Sequence, residues 1–133
     1  MALGKIKADT LEHSTAGSVD TQFVVVGANK LYCSLNGTGT AAIRDSLNTS
    51  SITDHGSGSY SVIASSSMSS ANYGKLSHTG DDSGSGGNVT IVGGQRGFAP
   101  TSSTVKLACS YHADSSSLAD HGDVNLAYVG DLA

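Results

Sequence analysis

The densest gathering of chemically capable side chains in this 133-residue chain is "YHADSSSLADHGD", which brings His112, Asp114, Asp120, His121 and Asp123 into one loop and its flanks. Imidazoles and carboxylates so close together have the donor types that hold a divalent cation. Their spacing matches neither the H-x-x-x-H of helix-borne metal sites nor the D-x-D-x-D-G of calcium loops. Asp and Gly also set turn geometry without any ion, so the stretch reads as a polar loop ending a hairpin. Asp81 and Asp82 in "GDDSGSGGN" read the same way, and no metal site is assigned.

Serine and histidine are the next candidates, since the chain has five His among many Ser. Nucleophilic catalysis by serine needs a base within hydrogen-bond reach and a strained turn or its equivalent to present the hydroxyl. No G-x-S-x-G elbow occurs in the sequence. His13, His55, His78, His112 and His121 fall mostly in or beside expected turns, where a polar ring is simply solvated. The glycine runs lack the Lys-Ser/Thr and following helix of a phosphate loop. No catalytic residue and no cofactor-binding residue is assigned, and the chain is expected not to be an enzyme.

Covalent and electrostatic features narrow the classes further. Cys33 and Cys109 each alternate with apolar or bulky neighbours, and with no export signal in view they are expected as two buried thiols rather than a disulfide. The N-x-S/T sequons at Asn36, Asn48 and Asn88 then follow from the abundance of Asn, Ser and Thr. Only 7 residues are basic and the net charge is -4, so the chain lacks the electrostatic footprint for gripping nucleic acid or an anionic membrane. The first residues carry Lys5, Lys7, Asp9 and Glu12 in place of an apolar signal core, and no run approaches a membrane span. A chain kept in soluble form, with no nucleic-acid partner and no membrane insertion, is expected.

The elements that must carry these residues are read from periodicity. Helical spacing is nearly absent, and the one short candidate, "TLEHST", runs straight into Ala16-Gly17. Period-two alternation recurs instead. Val105, Leu107, Cys109 and Tyr111 share one face, as do Val124, Leu126 and Tyr128, then Leu31, Cys33 and Leu35, with Phe23 and Val25 offering a weaker case. Val89 and Ile91 add another run. Ile52 closes a strand, "DHGSG" makes a loop, and Tyr60, Val62 and Ala64 return, forming a hairpin whose Ser59 and Ser61 are expected to face away from the core. "GAN" at 27–29 suits a tight hairpin, "HTGDDSGSGG" a longer surface loop, and Pro100 a connection outside any central strand.

About seven to nine short strands separated by turns predict an all-β fold, an antiparallel β-sandwich of jelly-roll-like type. Residues 1–20 read as an N-terminal arm and 21–133 as the sandwich domain. Charged residues are only 14% of the chain and Trp is absent, so the surface is hydroxylic and the core thin. A thin core makes burial between subunits an attractive source of extra stability.

Three spaced segments carry a more specific signal: "GKIKADTLEHSTAGSVDTQFVV", "GTGTAAIRDSLNTSSITDHGSGSYSV" and "MSSANY". In this order they resemble a module of tailed bacteriophages, cyanophages included, that occurs in tail-fibre and other virion structural proteins. The likeness spans roughly residues 4 to 73 and, more loosely, the closing "GDVNLAYVG". It implies a non-enzymatic exterior component of a virion, assembled in the host cytoplasm. It further implies a homotrimer of β-sandwich protomers touching other virion proteins of capsid or tail. No catalytic residue belongs to the pattern. Fibre members are often longer, whereas this chain starts at Met1 and shows no repeated shaft, so a small stand-alone copy is expected: a capsid decoration or knob, or a short fibre piece. The alternative is a receptor module in which exposed Tyr and loop Asp or His engage a host surface glycan. Tyr32, Tyr60, Tyr73, Tyr111 and Tyr128 fit core or interface roles equally well.

Overall fold

The structure is a computed structural model that describes residues 7–80, 90–94, 97–111 and 117–133. In chain order the elements are β1 (Thr10–His13), β2 (Gly17–Asp20), α1 (Thr21–Gly27), β3 (Asn29–Asn36), β4 (Ala42–Leu47), β5 (Thr49–Asp54), β6 (Ser59–Ala64), β7 (Gly74–Gly80), β8 (Thr90–Gly94), β9 (Thr104–Tyr111) and β10 (Asp123–Val129). Eight of the strands form two four-stranded antiparallel sheets, ordered β4-β3-β10-β7 and β5-β6-β9-β8. These pack face to face as an all-β sandwich. β1 and β2 form a separate two-stranded sheet.

The strictly alternating runs explain the sheet centres. Leu31, Cys33 and Leu35 of β3 and Val124, Leu126 and Tyr128 of β10 point inward from one sheet. Tyr60, Val62 and Ala64 of β6 and Val105, Leu107 and Cys109 of β9 meet them from the other. Each strand thus contributes one apolar face, and the four central strands supply most of the core. Met68 and Tyr73, from the segment joining β6 to β7, complete it, with the Tyr73 ring centroid 4.6 Å from that of Tyr128. The carboxyl-terminal residues are pinned to the same segment, since Ser69 donates its N–H to Asp131 and Ala133 donates to Ser67.

Between β4 and β5 the chain passes from one sheet to the other through a single residue. Asn48 makes this corner with φ of 55°, a left-handed conformation that Asn tolerates better than most residues. Its side-chain nitrogen donates to the carbonyls of Lys30 and Ser66, and its side-chain oxygen accepts from the Ser66 N–H. One amide therefore ties three segments together.

The β5–β6 hairpin forms as its sequence predicts, with its turn at His55–Gly58. Asp54 accepts the Gly56 N–H through its carboxylate, and His55 N–H reaches the Ser59 carbonyl at 2.8 Å. Ser59 and Ser61 point away from the core as expected, and each is nonetheless only 5% exposed. The His55 ring lies against Ser61, its Nε2 2.8 Å from Ser61 Oγ, so the turn folds over the strand it precedes. Pro100 lies in the connection between β8 and β9, as expected.

The amino-terminal region departs most from the sequence reading. "TLEH" is a strand, and the strand expected around Phe23 and Val25 is instead the seven-residue helix α1. Its apolar residues run consecutively from Phe23 to Val26, so the alternation that would have defined a strand face is broken. The helix is satisfied locally: Thr21 N–H donates to the Asp9 carbonyl, Thr21 Oγ1 donates to that of Ala8, and Ala28 N–H closes on Val24. Gly27–Asn29 consequently joins this helix to β3 and makes no hairpin. Lys5, Val89 and most of the "HTGDDSGSGG" loop lie outside the described residues.

Candidate interaction surface

Asp120 Oδ1 accepts a hydrogen bond from the Tyr60 hydroxyl at 2.6 Å and another from the Gly58 N–H at 2.6 Å. The Tyr60 hydroxyl also lies 2.9 Å from the Gly37 carbonyl, and Gly37 N–H donates to the His121 carbonyl. This network closes one end of the sandwich. It also leaves no room at its glycines: a Cβ on Gly37 would sit 2.5 Å from Tyr60 Oη, and one on Gly58 would sit 2.5 Å from the Cys109 carbonyl oxygen. Burial and the neighbouring Asp120 carboxylate together hold the Tyr60 phenol well above its ordinary pKa.

His121 is 1% exposed and packs edge-on against Tyr111, with ring centroids 4.7 Å apart. Neither of its ring nitrogens has a hydrogen-bond partner among the described residues. Asp123 turns to the other side, lying 3.9 Å from the Arg44 guanidinium and accepting from Asn125 at 2.8 Å. The candidate cation set is thereby divided among a latch at one end of the sandwich, a buried ring and a surface pair. His112, Asp114, Asp81 and Asp82 lie outside the described residues. Among those described, no three His, Cys, Asp or Glu side chains gather in the manner of a metal site.

His55 and Ser61 do form a base–hydroxyl pair, which the sequence did not single out. Ser61 lies mid-strand and nearly covered, and among the described residues no hydrogen bond orients the other imidazole nitrogen. The pair fastens the turn to the strand. The two cysteines are free and buried on facing sheets. Burial pushes the Cys33 thiol up to about 11 and the Cys109 thiol, also facing the Asp120 charge, up to about 12. Thiolate chemistry is suppressed at both.

What remains is surface. The outer face of β4-β3-β10-β7 carries a row in which Leu47 lies opposite Tyr32, Tyr32 opposite Ala127, and Ala127 opposite Leu76. Leu47 and Leu76, on the two edge strands, are well exposed, Leu76 at 58%. Tyr32, Leu76, His78, Asn125 and Ala127 line a shallow groove of about 270 Å³ along this row. The next row is polar, running Asp45, Ser34, Asn125, His78 across the same strands. Tyr32 donates its hydroxyl to Asp45 Oδ2 at 2.7 Å, a bond that raises the phenol pKa. The face is therefore apolar along one line and hydrogen-bonding along the adjacent one.

The amino-terminal hairpin and helix form the second surface. Phe23, Val24, Val25 and Val26 are all exposed, Phe23 at 63%, and Leu11 and Val19 of the hairpin are exposed as well. Leu11, Val24 and Val25 face an open concavity of about 740 Å³, bounded also by Lys7, Asp9 and Thr21. The helix packs chiefly on β2, within its own unit. Consecutive exposed apolar residues on this scale are the kind of surface that marks an interaction site.

No protein-family model, no curated protein and no solved structure matches this chain.

Proposed function

We propose that this chain is a non-enzymatic structural protein on the exterior of a tailed-phage virion. It is a capsid decoration or knob, or a short tail-fibre piece, that forms a homotrimer and docks on neighbouring virion proteins after assembly in the host cytoplasm. The resemblance of "GTGTAAIRDSLNTSSITDHGSGSY" and its flanks supplies the setting. The observation that carries the mechanism is the apolar surface left open at Leu11, Val19 and Phe23 through Val26, next to a sandwich whose own core is filled. Side chains of this kind gain by being removed from water, and the available gain scales with the area covered.

The test is addition of purified protein to phage particles lacking it, followed by electron-microscopic reconstruction. Density at one repeated position on the capsid or the tail is expected. Absence of binding at saturating protein overturns the proposal. A second reading, a receptor module for a host surface glycan, draws on the Tyr32–Asp45 bond beside Ser34, Asn125 and His78, since sugars are held by an aromatic face next to paired donors and acceptors. Reproducible glycan-array binding lost on Tyr32→Ala would favour it.

A further inference from the structure

Of the asparagines in this chain, only Asn36 is followed by a glycine. An Asn-Gly pair is the setting in which an asparagine side chain most readily loses its amide, because glycine has no Cβ to keep its backbone nitrogen from reaching back to the preceding side chain. Both residues are demanded by the fold. A Cβ at Gly37 would lie 2.5 Å from Tyr60 Oη and 2.8 Å from the His121 carbonyl oxygen, so the end of the sandwich has space for glycine alone. Asn36 uses both halves of its amide on Thr38: Nδ2 donates to the Thr38 carbonyl at 3.0 Å, while Oδ1 accepts from the Thr38 hydroxyl at 2.8 Å and from its N–H at 3.3 Å. An aspartate there would lack the donor.

The folded chain withholds the freedom that amide loss requires. The Gly37 nitrogen must give up its proton and attack Asn36 Cγ, yet Gly37 is buried and its N–H donates to the His121 carbonyl at 2.9 Å. The Gly37 carbonyl lies 2.9 Å from the Tyr60 hydroxyl, which holds the same residue from its other side. Asn36 is paired with Ala42 of β4, and its side chain is fastened beyond Gly37. Nucleophile and target are both held, so this end of the sandwich must open before they can meet.

We propose that Asn36–Gly37 is a latched modification site: opening of the Tyr60–Asp120–Gly37–His121 end lets Asn36 deamidate, and deamidation then keeps that end from closing. In the open chain the Gly37 nitrogen loses its proton to water and bonds to Asn36 Cγ, while Nδ2 takes up a proton and leaves as ammonia. The cyclic imide has no N–H to offer His121. Water then adds at either imide carbonyl and gives aspartate, or isoaspartate in which the main chain runs through Cβ and Cγ. Water is the only co-reactant, and nothing is oxidised or reduced. Isoaspartate lengthens the backbone by one methylene beside a residue with no space to spare, so the strand end cannot regain both its Ala42 and His121 partners. The step runs one way, and it does not depend on where the protein is displayed.

Peptide mapping by mass spectrometry tests this on the full chain in mildly alkaline buffer, comparing folded wild type, wild type held unfolded in urea, and Tyr60→Phe checked for folding by circular dichroism. Asn36 is expected to convert at least about 100-fold more slowly in the folded than in the unfolded wild type, the factor being set by the free energy of opening. Tyr60→Phe should convert about 10-fold faster than folded wild type, because the latch is weakened while Asn36, Gly37 and Thr38 are unchanged. Conversion at Asn29, at the far end of β3, should be the same in the two folded chains. In a second arm, wild type is converted while unfolded and returned to native buffer. Its isoaspartyl fraction should melt at a lower temperature and lose hydrogen-exchange protection at the Gly37 amide. Equal rates at Asn36 in folded and unfolded wild type overturn the proposal, as does a folded Tyr60→Phe chain that converts no faster. Isoaspartyl chains that regain wild-type protection at Gly37 overturn it too. If Tyr60→Phe does not fold, the two wild-type arms decide the matter by themselves.

Discussion

The sandwich and the amino-terminal unit use the same kinds of residue to opposite effect. In the sandwich, Leu31, Val62, Leu107 and Leu126 are covered on all sides, and the end of the core is sealed by the Tyr60–Asp120–Gly58 network. In Thr10–Gly27, Leu11, Val19 and Phe23 to Val26 are exposed, and Leu11, Val24 and Val25 line an open concavity. The difference separates two tasks within one short chain. The sandwich covers its own apolar residues, whereas the amino-terminal unit leaves its own open to solvent. Changes in the first should therefore act on folding, and changes in the second on association.

Gly58→Ala should break the sandwich most severely. The added Cβ meets the Cys109 carbonyl and the Ala119 backbone at a residue whose φ is +62°, so a loss of about 3 to 5 kcal/mol is expected in urea unfolding. Tyr60→Phe removes the single O–H that lies between Asp120 and the Gly37 carbonyl, and leaves Asp120 with only the Gly58 N–H at Oδ1. A loss of about 1 to 3 kcal/mol is expected from the same measurement.

Alkaline pH should act on the sandwich more gently. The unfolded thiols ionise near 9, whereas folded Cys33 and Cys109 hold their protons to about 11 and about 12. Between those values the unfolded chain binds fewer protons, so stability that is intact below pH 9 falls as pH rises towards 12. A drop in Tm on the order of 5 °C by mid-window is expected. The slope should flatten in a Cys33→Ala, Cys109→Ala variant, whereas an unchanged slope would remove the thiols as its cause. The smallest effect is expected at the amino terminus: a chain beginning at Ala28 should keep its unfolding midpoint within about 0.5 kcal/mol while losing self-association. A large loss of stability there would erase the distinction between the two regions.

The sandwich was legible where one face of a strand is fully buried, as in β3, β6, β9 and β10. It was illegible at the edges. In β7 the pattern is inverted, with Leu76 exposed and Thr79 buried, so a search for inward apolar residues passes over it. In β4 almost every residue is exposed and little alternation survives. The side on which the β6 serines lie was legible and their burial was not, because periodicity gives the side of a sheet and not what folds over it; the His55 ring lies against Ser61. The latch residues Asp120 and His121 were visible as chemistry-bearing types, but their partners, Gly58 and Gly37, are distant in sequence and carry no side chain to signal the contact. The apolar run at 23–26 was visible as well, and its exposure was not.

Asn48 has a consequence for how this protein must be made. The residue heads an N-x-S/T sequon, and both of its native hydrogen-bond donations come from the nitrogen to which a glycan would be attached. A substituted amide retains one hydrogen, too few to serve Lys30 and Ser66 together. Sugar transfer in a secretory pathway would reach this sequon before the sheets close and would block the only corner joining β4 to β5. Production in a bacterial cytoplasm avoids that conflict, and secretion from a eukaryotic host would require Asn48 to escape modification.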